Sequence, residues 1–461
     1  MSGRSQALVA ILLAGLVAGG GAALDRNVGV REEPVLPRSS QTSGAWFCPH
    51  GGGPRGWAVT LEVANPGEVP STVRVTPLGS ARPGAGKTYD VGAGTTVAVP
   101  TSGEGRAASS LVEYFGGWVA VGWVARAGGH ETGVAAEPCT ERAGTRWFAA
   151  DGSTASAGHQ ETYLLVMNPF ATQAVFDVVL FRKGLAPVRS TDLKEIRLAP
   201  GRSVSIGLKQ QAFNEDPVGA EVDVSSGRVA VASLGVGGLG GIRSAIGYAG
   251  SPTARTYVPI AGAGAQSTVV VTVPGTASVQ LSATLVSSRG SQPAGTLTGR
   301  AQPPQSASGY PVLTDGPSSV DLVATGAGAV AAGRVVGRGG DLGSTGGVGA
   351  PAARWLVTPT VGCRTSVPGL VVANPGPTPV DVTLHSLPDG DRKAAPDAIV
   401  RVPAGAAVSA PNSFLMADPT AAVLVTATGG TVVAGGASSS CGKQGTSAFA
   451  LAAGIPVPVG V

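Results

Sequence analysis

One strand recurs four times in this chain, each time ending at the same kind of turn. Leu61-Glu-Val-Ala-Asn65-Pro66, Leu164-Leu-Val-Met-Asn168-Pro169, Val269-Val-Val-Thr-Val273-Pro274 and Leu370-Val-Val-Ala-Asn374-Pro375 set their prolines 103, 105 and 101 residues apart. Asn-Pro initiates turns, and a proline has no N–H to give a ladder, so the strand must stop there. A second strand follows each one: Thr72-Val-Arg-Val-Thr76, Val175-Phe-Asp-Val-Val179, Val279-Gln-Leu-Ser-Ala283 and Val380-Asp-Val-Thr-Leu384. Their alternation of apolar and polar residues is that of half-buried strands.

Two further landmarks keep the same order. An aromatic strand opens each unit, at Trp46-Phe47, Trp147-Phe148, Tyr257-Val258 and Trp355-Leu356. A strand of small residues closes it, at Val119-Ala-Val121, Val229-Ala-Val231, Val330-Ala-Ala332 and Val432-Val-Ala434. Four landmarks at near-constant spacing define units at 45–140, 145–250, 255–350 and 353–461. The third is degenerate, lacking the Asn and carrying a Pro/Ser/Gly-rich insertion near 290–310. Glycine is abundant, at 71 of 461 residues, but has no three-residue period, which excludes collagen. The hydrophobic fraction of 43% supports packed cores, yet with 6 Trp, 6 Tyr and 9 Phe each core is small.

The expected fold is therefore all-β: tandem immunoglobulin-like β-sandwich repeats of about 100 residues, with turn signals every 8–12 residues. A closed propeller-like ring is the alternative. Cys441 precedes Phe449 by eight residues, as Cys139 precedes Trp147. Phe449-Ala-Leu451 is then either the last strand of the fourth unit or an element that pairs with an earlier one and closes the chain.

The N-terminus sets the compartment. Arg4 precedes an uncharged stretch from Ala7 to Leu24 with its apolar part at Leu8 to Val17. Residues 1–24 read as a signal peptide, with Gly21 and Ala23 before a cleavage site, or as an uncleaved membrane anchor. Either way the rest of the chain is exported, and membrane contact is confined to residues 7–24 if uncleaved. The four cysteines fit that compartment and allow three pairings. The repeat favours Cys48–Cys139 and Cys363–Cys441, each stapling an outer unit for about 4 kcal/mol.

Chemistry-bearing motifs are sparse. There are four histidines, and His130-Glu131 lacks the second His of a zincin helix. The G-x-G-x-x-G matches at Gly51–Gly56 and Gly235–Gly240 open no helix, so no cofactor is expected, and Cys48 with His50 has no further cysteine or histidine close in sequence, so no metal is expected either. Glu215-Asp216 and Asp389-Gly-Asp391 read as solvated turns. His50, His130 and His159 cluster near the first junction. If Val119, Val121 and Trp123 face the core, Trp118 faces outward, and with Tyr114 and Phe115 it makes a ligand-stacking platform. The net charge of +4 comes from scattered arginines and gives no reason to expect nucleic acid.

The opening Ala45-Trp-Phe-Cys-Pro-His-Gly-Gly-Gly53 and the repeated Leu-Val-x-Asn-Pro strands resemble an actinobacterial family of secreted proteins of unknown function. That resemblance implies export across a Gram-positive-type envelope and supplies no catalytic residue. The expectation is a non-enzymatic, extracytoplasmic cell-envelope protein that binds or scaffolds a polysaccharide or a protein partner. The competing reading is a polysaccharide-modifying hydrolase whose carboxylates come from separate units.

Overall fold

The computed structural model describes residues 42–54, 56–128, 131–237, 241–260, 266–275, 279–294, 299–301, 306–313, 316–326, 328–336, 342–358, 368–441, 447–458 and 460–461. They build four antiparallel β-sandwiches in tandem, as the repeat predicts. In the first, the strands are Ser43–Cys48, Ala58–Asn65, Ser71–Leu78, Lys87–Val91, Thr95–Thr101, Ser109–Phe115, Ala120–Ala127 and Gly133–Pro138. One sheet orders them opening, sixth, third, fourth; the other orders them fifth, second, seventh, eighth. The other three sandwiches repeat this scheme. In the second and third, the fourth strand is split in two (Leu185–Val188 with Ile196–Leu198, and Gly290–Pro293 with Gly299–Ala301). The third unit thus has the full strand set despite its divergent sequence.

The Asn of the repeated strand has a structural task. Asn65, Asn168 and Asn374 are each almost fully buried. Each Nδ2 donates to a carbonyl four residues on (Val69, Thr172, Thr378; 2.7–2.8 Å) and to one ending the fourth-strand region (Val91, Leu198, Val402). Each Oδ1 accepts from the N–H two residues on, at Gly67, Phe170 and Gly376. One amide therefore satisfies backbone groups that the turn would otherwise bury unpaired. In the third unit Val273 takes this place, buried and apolar.

The opening tryptophans also act alike. The indole Nε1 of Trp46, Trp147 and Trp355 donates at 2.7 Å to the carbonyl of Val119, Val229 and Val432, just before the seventh strand. The register against the sixth strand corrects the sequence alignment in the third unit. Thr256, opposite Leu322, stands where Trp147 stands opposite Val222, while Tyr257 matches Phe148. Its hydroxyl pairs with Thr253 at 2.8 Å, and Thr253 forms a bridge with Ala329, the counterpart of Val229.

The four sandwiches close on themselves. Their eighth strands, Gly133–Pro138, Ile242–Ile246, Leu342–Gly346 and Ser447–Ala453, pack in a cycle: first on second, second on third, third on fourth, and fourth on first. The Ser447–Ala453 strand pairs with Val433–Cys441, so Phe449–Leu451 is the last strand of the fourth unit; it packs on the first sandwich but, among the described residues, forms no ladder with it. The seam is fastened by the Thr96 N–H to the Pro388 carbonyl (2.8 Å) and the Thr96 hydroxyl to the Leu387 carbonyl (3.0 Å). Small residues make the convergence feasible. A Cβ on Gly122 of the first sandwich would lie 2.4 Å from Thr358 Oγ1 of the fourth, and one on Gly435 of the fourth 2.7 Å from Pro259 of the third. The Gly- and Ala-rich composition thus reflects strands packed at close range around one centre.

Candidate functional site

The junction of the second and third sandwiches is charged. Asp151, at the end of the second sandwich's opening strand, accepts from Arg334 Nε of the third (2.7 Å) and from Arg243 Nε (3.2 Å), and also meets the Ser344 hydroxyl. Arg334 Nη1 reaches Asp216 at 2.7 Å, so this turn acid is tied into the interior and not simply solvated. Burial pushes the Asp151 carboxyl up, but the charges of Arg334 and Arg243 outweigh it and hold the group at about 2. Glu137 of the first sandwich accepts the Gly346 N–H at 3.0 Å, and burial pushes its carboxyl well above the usual range. The Asp151 ladder and Glu137 thus bind three sandwiches together. Asp151 and Glu137 are 2% and 1% exposed, which removes them from contact with any polymer.

A second meeting of carboxylates lies at the seam. Glu62 of the first sandwich is pushed up to about 8 by burial and by Asp389 of the fourth, with Arg126 opposing.

The stacking platform read from the sequence does not assemble. Trp118 is 2% exposed and Tyr114 fully buried; only Phe115, at 51%, is open. Trp118 precedes the seventh strand instead of lying in it, so strand alternation does not govern it. It packs edge-on against Trp46 at 6.0 Å, and its Nε1 donates to Glu141 at 2.9 Å. Tyr114 donates to the same carboxylate.

Cys48 and Cys139 form the expected disulfide. Cys363 lies outside the described residues, as does the side chain of Cys441. Of the junction histidines, His50 is buried, its Nδ1 at 2.7 Å from the Gly51 carbonyl and its Nε2 at 3.0 Å from Ser110 Oγ; burial lowers it to about 4. His159 sits in an exposed turn with φ +52°, and His130 is outside the described residues.

A cleft that the sequence reading missed opens between the first and second sandwiches. Its volume is about 480 Å³, and Phe47, Arg142, Arg146, Phe170 and Arg228 line it together with Glu141. Phe47 and Phe170 meet at 5.9 Å between ring centroids, and the Arg228 guanidinium lies 4.8 Å over Phe170. Arg146 is paired with Glu221 at 2.6 Å. Among the described residues, neither Arg142 nor Arg228 has an acidic partner, so the cleft carries unbalanced positive charge beside aromatic rings.

These features define an all-β protein of four cyclically packed sandwiches with a cationic, aromatic cleft at one junction. The chain belongs to a family of unknown function, DUF5719, whose model matches residues 101–354. No curated protein matches it.

Proposed function

We propose that this is a non-enzymatic, extracytoplasmic cell-envelope protein that binds or scaffolds an envelope polysaccharide or an envelope protein. The observation that carries the reading is the cyclic packing of the eighth strands, reinforced by the buried Asp151–Arg334–Arg243 cluster between the second and third sandwiches. Interlocked sandwiches move as one body, which keeps surface sites at fixed separations, and preorganised sites lose less entropy when they bind. The Cys48–Cys139 disulfide suits an oxidising compartment, and the Arg4–Leu24 segment supplies the route to it, as a cleaved signal or as an anchor. The actinobacterial resemblance supports a protein that is secreted or anchored to the cytoplasmic membrane facing the cell wall.

The test is co-sedimentation of the full chain with insoluble envelope polysaccharide, together with an assay for new reducing ends. Saturable pelleting without release of sugar supports the reading. Release of reducing ends would overturn it in favour of a hydrolase, and the Glu62–Asp389 pair at the seam would be the first to examine.

A further inference from the structure

The repeat itself singles out the cleft. After the prolines of the first and fourth Asn-Pro turns stand Gly67 and Gly376; in the second sandwich Phe170 stands there. The backbone does the same work in all three. Gly67, Phe170 and Gly376 donate N–H to the preceding Asn, and their carbonyls accept from Gly94, Gly201 and Gly405. Glycine serves this turn, so its geometry does not call for a phenyl ring. The ring of Phe170 packs instead on Phe47, at the floor of the cleft.

Arg228 stands at a position that each unit fills differently, with Trp118, Arg228, Gly328 and Thr431. It precedes Val229 as Trp118 precedes Val119, and where Trp118 folds inward onto Glu141, Arg228 lies over Phe170. Arg142, on the link between the sandwiches, adds a second guanidinium without an acidic partner among the described residues. Glu141 is drawn toward Trp118 and Tyr114, and Arg146 is held by Glu221. One departure from the repeat, one residue particular to this unit and one link residue thus converge on one cleft.

We propose that this cleft binds an anionic glycan, its phosphate or carboxylate held between Arg142 and Arg228 and a sugar ring resting beside Phe170. Guanidinium forks match the geometry of both anions, and aromatic faces accept the C–H face of a sugar. A volume of about 480 Å³ lies within the range of small-ligand sites. The proposal rests on the envelope-binding reading above and names its ligand class.

The test is calorimetric titration of the full chain with a poly(glycerol phosphate) oligomer, an oligogalacturonate, neutral dextran and poly-glutamate. Binding of the phosphate or the carboxylate glycan, weakened by salt, is expected, and which of the two binds identifies the anion. R142A/R228A is expected to lose at least roughly tenfold in affinity, since charge-assisted bonds carry the recognition. F170G is expected to lose several-fold, with its CD spectrum and cooperative unfolding retained, because two sister turns already carry Gly. Equal affinity for dextran, tighter binding of poly-glutamate, or undiminished binding by all three substitutions would overturn the cleft assignment. Envelope pelleting that survives those substitutions also sinks the cleft and leaves the broader reading standing. Loss of pelleting by the unaltered chain sinks the broader reading itself.

Discussion

Arg334 Nε of the third sandwich donates to Asp151 Oδ1 of the second at 2.7 Å, across 183 residues of sequence. Both side chains are buried, and Arg243 and Ser344 complete the contacts to the carboxylate. A buried pair of this kind is costly to break by removing one partner, because the other charge stays in the interior.

D151N is therefore expected to lower unfolding stability by about 3–5 kcal/mol, since it leaves Arg243 and Arg334 facing a neutral amide, and R334M to cost less, since Arg243 still pairs with Asp151. Urea unfolding followed by Trp fluorescence and by far-UV CD checks this. Coincident shifts in both signals are the expected outcome, since the pair ties two sandwiches together. Separate transitions would mean that the sandwiches unfold independently.

Glu62 makes the seam sensitive to alkali. Its folded value of about 8 lies above the ordinary 4.5, so between these values the folded chain keeps a proton that the unfolded chain has released. Its contribution is therefore intact below pH 4.5 and is lost as pH rises toward 8. E62Q is expected to exceed the parent in stability at pH 8 by something of the order of 2–4 kcal/mol and to match it at pH 4. Thermal melts at the two pH values measure the difference.

His50 acts at the other end of the scale. The Gly51 carbonyl can only accept, so Nδ1 carries the proton and Nε2 accepts from Ser110. Its folded value of about 4 lies below the ordinary 6.5, so on acidification the unfolded chain takes up a proton first. Stability is full above pH 6.5 and falls as pH drops toward 4, by about 3 kcal/mol. H50Q is expected to flatten this part of the stability–pH curve, as read by denaturant midpoints at pH 7, 5.5 and 4.5.

The Asn turn can be tested against its own sister unit. N374A removes the group that satisfies Thr378, Val402 and Gly376 and is expected to cost roughly 2–4 kcal/mol. V273A in the third unit removes only buried methyl groups and is expected to cost about 1–2 kcal/mol. Equal losses in matched urea titrations would show that the amide contributes no more than packing.

The disulfide closes a separation of 91 residues. C48S/C139S is expected to lose about 4–5 kcal/mol in the chain-entropy account. Comparing its urea midpoint with that of the oxidised parent measures the loss.

Legibility followed the range of each interaction. The Asn-Pro strands and the opening aromatics recur at near-constant offsets, so spacing exposed them, and the Cys48–Cys139 pair followed from two cysteines that bracket one unit. Thr256 escaped because it stands at the indole's position with a hydroxyl that bonds Thr253, and Thr253 in turn reaches the Ala329 carbonyl. Trp118 was misplaced because strand alternation was extended past the strand's first residue. Arg228 and Phe170 were overlooked, although Phe170 breaks a Gly that two sister turns share.

By itself the sequence determined the strand content, the unit length and one staple, because hydrophobic alternation, turn residues and repeat spacing are local properties of the chain. The tertiary structure alone decided that the eighth strands pack in a cycle, that Asp151 and Arg334 pair in the interior, and that Phe170, Arg142 and Arg228 share one cleft. Those relationships depend on how whole sandwiches approach each other, and no short-range pattern encodes which distant side chains will share a volume from which water is excluded.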